Sequence, residues 1–338
     1  MKNRRATQAD VAKLAGVSQS AVSQVLNQSD IVIPEETKQR VLDAVDQLGY
    51  IPNRTAQSLR TQKNYTIASI IPDITNPYYP PFQRGVQSVA NQHDYDLIIY
   101  DTEEKEENER RTLRALERAG IDGAIITFFH LGAEHLKPLI EQNIPVVLLR
   151  EKLSSEEDLN IDRIFVNNVA MVKESVSYLI EKGHTRIGMI AGSKGTPPRK
   201  DRIRGFREAL VEHNLPLDDV LIQGGDFTES GGYQGMIELL KLTPLPTAVF
   251  AANDLMALGA MSAIREANLR IPEDIALVGL DDIPAAKLVH PALTTSSQLQ
   301  EDIGRRAAEM LFERLQGTVK DEPRSVEMPF KLIVRESA

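Results

Sequence analysis

Cysteine is absent from the 338-residue chain. That excludes disulfides and thiolate metal sites, and it fits a reducing cytoplasm. No apolar run approaches the roughly 20 residues that a membrane span needs, and the opening MKNRRATQAD has no apolar stretch of a secretory signal. The six histidines, at 93, 130, 135, 184, 213 and 290, form no H-E-x-x-H or similar ligand set; His130 and His135 read as surface residues. The phosphate-cradling G-x-x-x-x-G-K loop, the dinucleotide fingerprint G-x-G-x-x-G and the nucleophile elbow G-x-S-x-G are all missing. These gaps argue against the commonest enzyme classes, and no motif for a metal or cofactor stands in the sequence. What remains is a soluble, intracellular, non-enzymatic protein with an ordinary 42% hydrophobic and 26% charged composition.

The net charge of −9 is unevenly spread. Residues 1–64 carry nine basic and six acidic side chains, which leaves a head of +3 on a body of −12. A weakly basic head on an acidic body suggests a local polyanion contact.

In DVAKLAGVSQSAVSQVLN, residues 10–27, Val11, Leu14 and Ala15 share one helix face. Gly16 permits a sharp turn. Ser18 is placed to cap a second helix that buries Ala21, Val22, Val25 and Leu26. The other side of that helix presents Gln19, Ser20, Ser23, Gln24 and Asn27, which are amides and hydroxyls without Glu or Lys. A third helix is expected to start with Pro34 at its first position, bury Val41, Leu42, Val45 and Leu48, and stop at Gly49. Three helices in about 50 residues match a DNA-reading helix-turn-helix. Solvated helix faces usually carry charge, whereas base edges are read by amides and hydroxyls. The duller alternative is a helical cap with a solvated polar face.

YIPNRTAQSLRTQKNYT follows, with Arg54, Arg60 and Lys63 and a helical stretch over residues 53–60 too short to be stable alone. It reads either as a plain linker or as a segment that folds on DNA with Leu59 as an apolar wedge.

From Tyr65 onward, strand-like runs alternate with amphipathic ones. YTIASIIPD, YDLIIYD, GAIITF, IPVVLL and RIFVNN form one series; RIGMIAG, DVLIQGGD, TAVFAAND and IALVGLDD form another. Apolar strands separated by helices mean parallel sheets covered on both faces, and two series mean two doubly wound lobes with a cleft between them. Ligands sit beyond the carboxyl ends of such strands. Asp73, Arg150, Asn167, Ser193, Phe227, Asn253, Asp254, Asp281 and Asp282 stand there, with Gln298 from a crossover. Planar hydrogen-bonding groups beside an aromatic suit a polyhydroxylated ligand. Asp254 reads equally well as a helix cap, Asp282 as a turn cap, and Tyr78 and Tyr79 as packing residues at a lobe edge.

TQADVAKLAGVSQSAVSQVLN, VLDAVDQLGYIPNRTAQSLRT and IIPDITNPYY, in that order and spacing, resemble the lactose-repressor (LacI/GalR) family of bacterial transcription regulators. The similarity continues through GHTRIGMIAG, RIRGFREAL, PTAVFAANDLMALGAM, IPEDIALVGLDD and PALTTSSQ. It implies a three-helix head on a two-lobed, periplasmic-binding-protein-like α/β core. It also implies DNA contacts from Thr7, Gln8, Ser18, Gln19, Ser20, Ser23, Gln24 and Asn27. A hinge helix would add Asn53, Arg54, Ala56 and Leu59. Family members usually carry Arg where this chain has Gln24, so the base read there shifts from guanine toward adenine. Arg202, Asn253, Asp281 and Gln298 fall at positions that contact effectors, and Phe227 at an aromatic that lies against a sugar. The implied effector set is completed by Asp73, Asn76, Tyr78, Tyr79, Arg150 and Asn167. Arg150 stands where sugar-responsive members have an acid, and suits a phosphate or carboxylate equally.

The resulting expectation is a head over residues 1–50, a hinge over 51–64, and a core over 65–338. Its N-lobe would span about 65–165 and 296–324, and its C-lobe about 166–295 and 325–338. The expected partners are double-stranded operator DNA with a pseudo-palindromic sequence, a second copy of the chain, and a mono- or disaccharide effector, with no membrane. A phosphorylated or carboxylate metabolite, a purine, and a transport-type sugar-binding protein are the alternatives.

Overall fold

Thr7 opens the first helix with a reciprocal cap. Its backbone N–H and hydroxyl both donate to Asp10, at 2.8 and 2.6 Å, while the Asp10 N–H donates back to Thr7 Oγ1. Two of the orphan donors at a helix start are satisfied in this way. The helix, α1 (Gln8–Ala15), ends at Gly16 in the left-handed region, φ 65°. The Ser18 side chain then accepts the Ala21 N–H at the start of α2 (Gln19–Leu26). A third helix, α3 (Glu35–Leu48), starts one residue later than expected, because Pro34 occupies the capping position. The computed structural model describes residues 6–26, 33–50, 63–150, 159–319 and 322–338, and the chain divides into units 1–64 and 65–338.

Val11, Ala12, Ala15, Val22, Val25, Val41 and Ala44 form the core of the head. Two expected core residues are exposed instead, Leu14 at 46% and Leu42 at 37%. Their places are taken by Ala12 and Ala44, whose small side chains let the short helices approach closely. Arg40 of α3 closes the unit, donating from Nε to the Ala15 carbonyl at 3.1 Å and from Nη2 to the Gly16 carbonyl at 3.2 Å. Those carbonyls belong to the end of α1, where no intrahelical donor is available.

Among its described residues, the larger unit contains two six-stranded sheets. The first runs β11–β5–β4–β3–β1–β2, with β1 (Thr66–Ile71), β2 (Asp96–Asp101), β3 (Gly123–Ile126), β4 (Val146–Leu148), β5 (Asp162–Val166) and β11 (Ser325–Met328), all parallel. The second runs β12–β10–β9–β8–β6–β7, with β6 (Ile187–Ala191), β7 (Ile222–Gly224), β8 (Ala248–Ala251), β9 (Ala276–Asp281), β10 (Thr294–Ser297) and β12 (Lys331–Ile333). Among the described residues, only β12 is antiparallel to its neighbour. Alternation along the strands explains the layers. Ile67, Ile125, Val147 and Ile164 pack on one face of the first sheet, together with Phe82, Leu311 and Phe312. Ala68, Ile70, Ala124, Ile126 and Leu148 pack on the other, with Leu113, Leu116 and Leu136.

The helices of the first lobe are α4 (Tyr79–Gln92), α5 (Glu106–Ala119), α6 (Lys137–Glu141) and α11 (Gln300–Leu315). Those of the second are α7 (Asn168–Glu181), α8 (Pro197–Glu212), α9 (Glu229–Leu240) and α10 (Asp254–Glu266). The chain crosses between lobes three times: after Val166, after Ser297 and after Met328. Two expected boundaries are thereby corrected. Residues 296–297 finish β10 in the second lobe, and residues 325–328 belong to the first, paired in register with Arg163–Val166. An ion cluster pins that last strand. Asp162 accepts the Arg324 N–H at 2.8 Å and both the Arg314 and Arg324 guanidinium groups at 2.8 and 2.6 Å. Among the described residues, no helix is long and apolar enough to cross a membrane, and no cluster of His, Asp or Glu is placed to hold a metal.

Candidate functional site

Every strand of a doubly wound sheet delivers the loop after it to the same edge, and the two lobes turn those edges toward one cavity. Asn76, Tyr78 and Tyr79 arrive after β1, Glu104 after β2, Phe128 and Phe129 after β3, Arg150 after β4 and Asn167 after β5. The opposite wall is built from Arg202 on α8, Phe227 after β7, Asn253 after β8, Asp281 at the end of β9, and Gln298 after β10.

At the centre, Arg202 is 7% exposed and lies with its guanidinium 5.5 Å over the Phe227 ring. Its Nε donates to Asn168 at 2.9 Å and its Nη1 to the Ala252 carbonyl. Phe129 stands 6.0 Å from Phe227, its ring tilted by 45°, so an angled apolar wall spans both lobes. Asp281 accepts the Gln298 amide at 2.7 Å. Burial pushes its carboxyl up to about 8, opposed by Arg202 and reinforced by Asp254. Burial likewise raises the Tyr78 and Tyr79 hydroxyls and lowers Arg202 and Arg150. A site that disfavours its own charges gains when a ligand supplies donors and acceptors to them.

Strain marks the same places. Glu104, Phe227 and Asp281 all have positive φ, at 52°, 66° and 123°, and all three line the cavity. Non-glycine residues hold such angles only where the surroundings over-determine them. For Phe227 the restraint is Asn253, whose Nδ2 donates to the Phe227 carbonyl at 2.9 Å while its Oδ1 caps α10 through the Met256 N–H at 2.9 Å.

Ten of the eleven effector candidates line this cavity: Asn76, Tyr78, Tyr79, Arg150, Asn167, Arg202, Phe227, Asn253, Asp281 and Gln298. Asp73 is the exception. Its carboxylate takes both the N–H and the hydroxyl of Thr75, at 2.8 and 2.7 Å, and shapes a turn instead. Asn167 is partly occupied in capping α7 through the Ala170 N–H. Tyr78 and Tyr79 pack edge to face as well as lining the cavity. Asp254 is neither cap nor lining residue. It is fully buried and accepts the Thr295 hydroxyl and the Ile283 N–H, at 2.6 and 2.9 Å. Asp282 pairs with Arg335 at 2.5 Å rather than capping its turn. Glu104, Phe129, Asp201 and Arg204 line the cavity without having been singled out. Phe129 follows an apolar strand directly and was recoverable from that position, but Glu104 sits in the charged run TEEKEENER, which reads as solvated.

In the head, Gln19 and Ser20 on α2 are exposed, and Ser23, Gln24 and Gln8 are half-buried. Thr7 and Ser18 spend their side chains on helix caps. Asn27, Asn53, Arg54, Ala56 and Leu59 lie outside the described residues.

A family model described as bacterial regulatory proteins of the lacI family matches residues 7–53, and one described as a periplasmic binding protein-like domain matches residues 176–338. The HTH-type transcriptional regulator RegA of Clostridium saccharobutylicum is 36% identical, over 97% of this chain and 98% of its own. The chain belongs to the lacI family. Solved structures of this family agree in fold. A lac repressor dimer bound to operator and the anti-inducer ONPF superposes with a TM-score of 0.87 at 27% identity, covering 99% of each chain. The transcriptional regulator CelR in complex with cellobiose gives 0.75 at 32% identity, covering 99% of this chain and 100% of that one. This lacI-family member is therefore an effector-regulated, DNA-binding transcriptional regulator and not an enzyme.

Proposed function

We propose that the protein is a cytoplasmic repressor that binds a pseudo-palindromic operator as a homodimer and is switched by a neutral sugar held in the cleft. Residues 1–50 would read the major groove through α2, and residues 51–64 would couple the head to the core. A two-fold symmetric pair of readers matches a two-fold symmetric site, and the solved lac repressor dimer on its operator supports that arrangement.

The observation that carries the sugar reading is the grouping of Phe227, Arg202, Asp281 and Gln298. An aromatic face supports the apolar side of a sugar ring. The guanidinium, carboxylate and amide at its rim pair with hydroxyls that both donate and accept. Cavity charges balance formally, with Arg150, Arg202 and Arg204 against Glu104, Asp201 and Asp281, which suits a neutral ligand. The CelR–cellobiose complex points the same way. The second reading, an anionic metabolite, is favoured by Arg150 together with the burial that pushes Glu104 and Asp281 toward their neutral forms.

A thermal-shift panel of monosaccharides, disaccharides, sugar phosphates and purines separates the two. A ligand at 100 times its Kd adds about 2.7 kcal/mol of stability. Neutral sugars are expected to raise the midpoint and sugar phosphates to leave it unchanged; the reverse overturns the sugar assignment. Arg202→Ala should abolish the shift and the effector's influence on operator binding, while operator affinity without effector stays near normal by fluorescence anisotropy.

A further inference from the structure

Glu103 and Glu104 are consecutive non-glycine residues with φ near 52°. A left-handed pair of this kind is normally left to glycine, so something must require the side chains. Around Glu104 the backbone is fixed from two sides. Its N–H donates to the Pro72 carbonyl at 2.8 Å, and its carbonyl accepts the His130 ring Nε2–H at 2.8 Å. His130 is held in turn by Glu109, a fully buried carboxylate that accepts the N–H groups of Phe129 and Leu131, both at 2.8 Å, and of His130 at 3.2 Å. This scaffold aims one group: the Glu104 carboxylate reaches across the cleft and accepts the hydroxyl of Ser193 at 2.8 Å. Ser193 follows β6 in the other lobe, and its carbonyl accepts the hydroxyl of the buried Thr196 at 2.8 Å.

We propose that Glu104 is a positioning residue that sets lobe closure, with its carboxylate latching Ser193 across the mouth of the cleft while lining the cavity itself. The inference rests on the cleft being the effector site, because only then does closure bear on regulation. A charge-assisted hydrogen bond between two otherwise separate bodies is the kind of contact whose loss favours opening. Burial, which raises the Glu104 carboxyl against the Ser193 hydrogen bond, makes the carboxylate depend on that donor.

The absence of cysteine makes the test direct. Spin labels at Glu141→Cys and Glu208→Cys, both exposed and on different lobes, report the interlobe distance in the full chain without any small molecule. The parent is expected to hold a dominant short-distance population. Glu104→Ala and Ser193→Ala should each lower the ratio of short to long distances by about tenfold, and the double variant should match either single one. Glu104→Gln should retain the short distance, because its amide oxygen still accepts the Ser193 hydroxyl; a purely structural Glu104 gives no such rescue. Unchanged distances in Ser193→Ala, or additive effects in the double variant, overturn the latch. Should the distances respond as expected while no compound in the panel alters operator binding, the latch stands and the effector reading alone falls.

Discussion

At Gly192 a Cβ would run into the ring of Phe227. The aromatic wall of the cavity therefore exists because the residue opposite it has no side chain. Gly192→Ala should displace the ring and weaken effector binding by roughly 1–3 kcal/mol, the usual scale of overpacking, with operator affinity in the absence of effector preserved; isothermal titration with the best compound from the panel checks this. Asp281 sets a second expectation. Its carboxyl is pushed up to about 8, and a neutral polyol that donates hydroxyls to it prefers the ionised form. Binding then releases a proton, so affinity should rise with pH, by up to about tenfold per unit below 8, and level off above it. An anionic effector should show the opposite slope.

Asp254 acts at the scale of elements, tying α10 to β10 through Thr295 and to the turn after β9 through Ile283. Burial raises its carboxyl to about 6. Between the unfolded value near 4 and 6, the native state binds the proton more tightly than the unfolded chain. This residue's contribution is thus most favourable below pH 4 and is lost as pH rises through 6, a swing of about 3 kcal/mol. Asp254→Asn should remove that component, so urea midpoints should fall less between pH 4.5 and 7 than in the parent; parallel curves would contradict it. The same region shows what a sequence conceals. Strands β1 to β9 were legible because each lies in or beside a short apolar run, such as VVL or AVFA. The Thr294–Ser297 strand is just as buried, yet TTSS shows no apolar signal, since its hydroxyls find partners in Asp254, Ser175 and the Arg335 N–H. Most cavity residues were legible because they follow apolar strands. Leu14 and Leu42 misled because helical spacing cannot tell which of two adjoining faces a small core selects, and Glu104 was missed because its partner is 89 residues away.

For the molecule as a whole, a head of +3 attached to a body of −12 has little electrostatic reach of its own. Specific binding should therefore depend on holding two heads together, which raises the effective concentration of the second. Residues 1–64 alone, a unit with its own core, should bind an operator at least about 100-fold more weakly than the full chain. Equal affinities in an anisotropy titration would remove the need for pairing.

The three passages of the chain between lobes also dictate the order in which a ribosome can complete them. The first sheet waits for Ser325–Met328 and the second for Lys331–Ile333. Two-thirds of the first lobe's strands emerge before residue 150, yet its α11 and sixth strand arrive only after nearly all of the second lobe has been made. Neither half can be finished far ahead of the other. Truncation before Ser325 would therefore leave both lobes unsealed rather than cost the protein one of them.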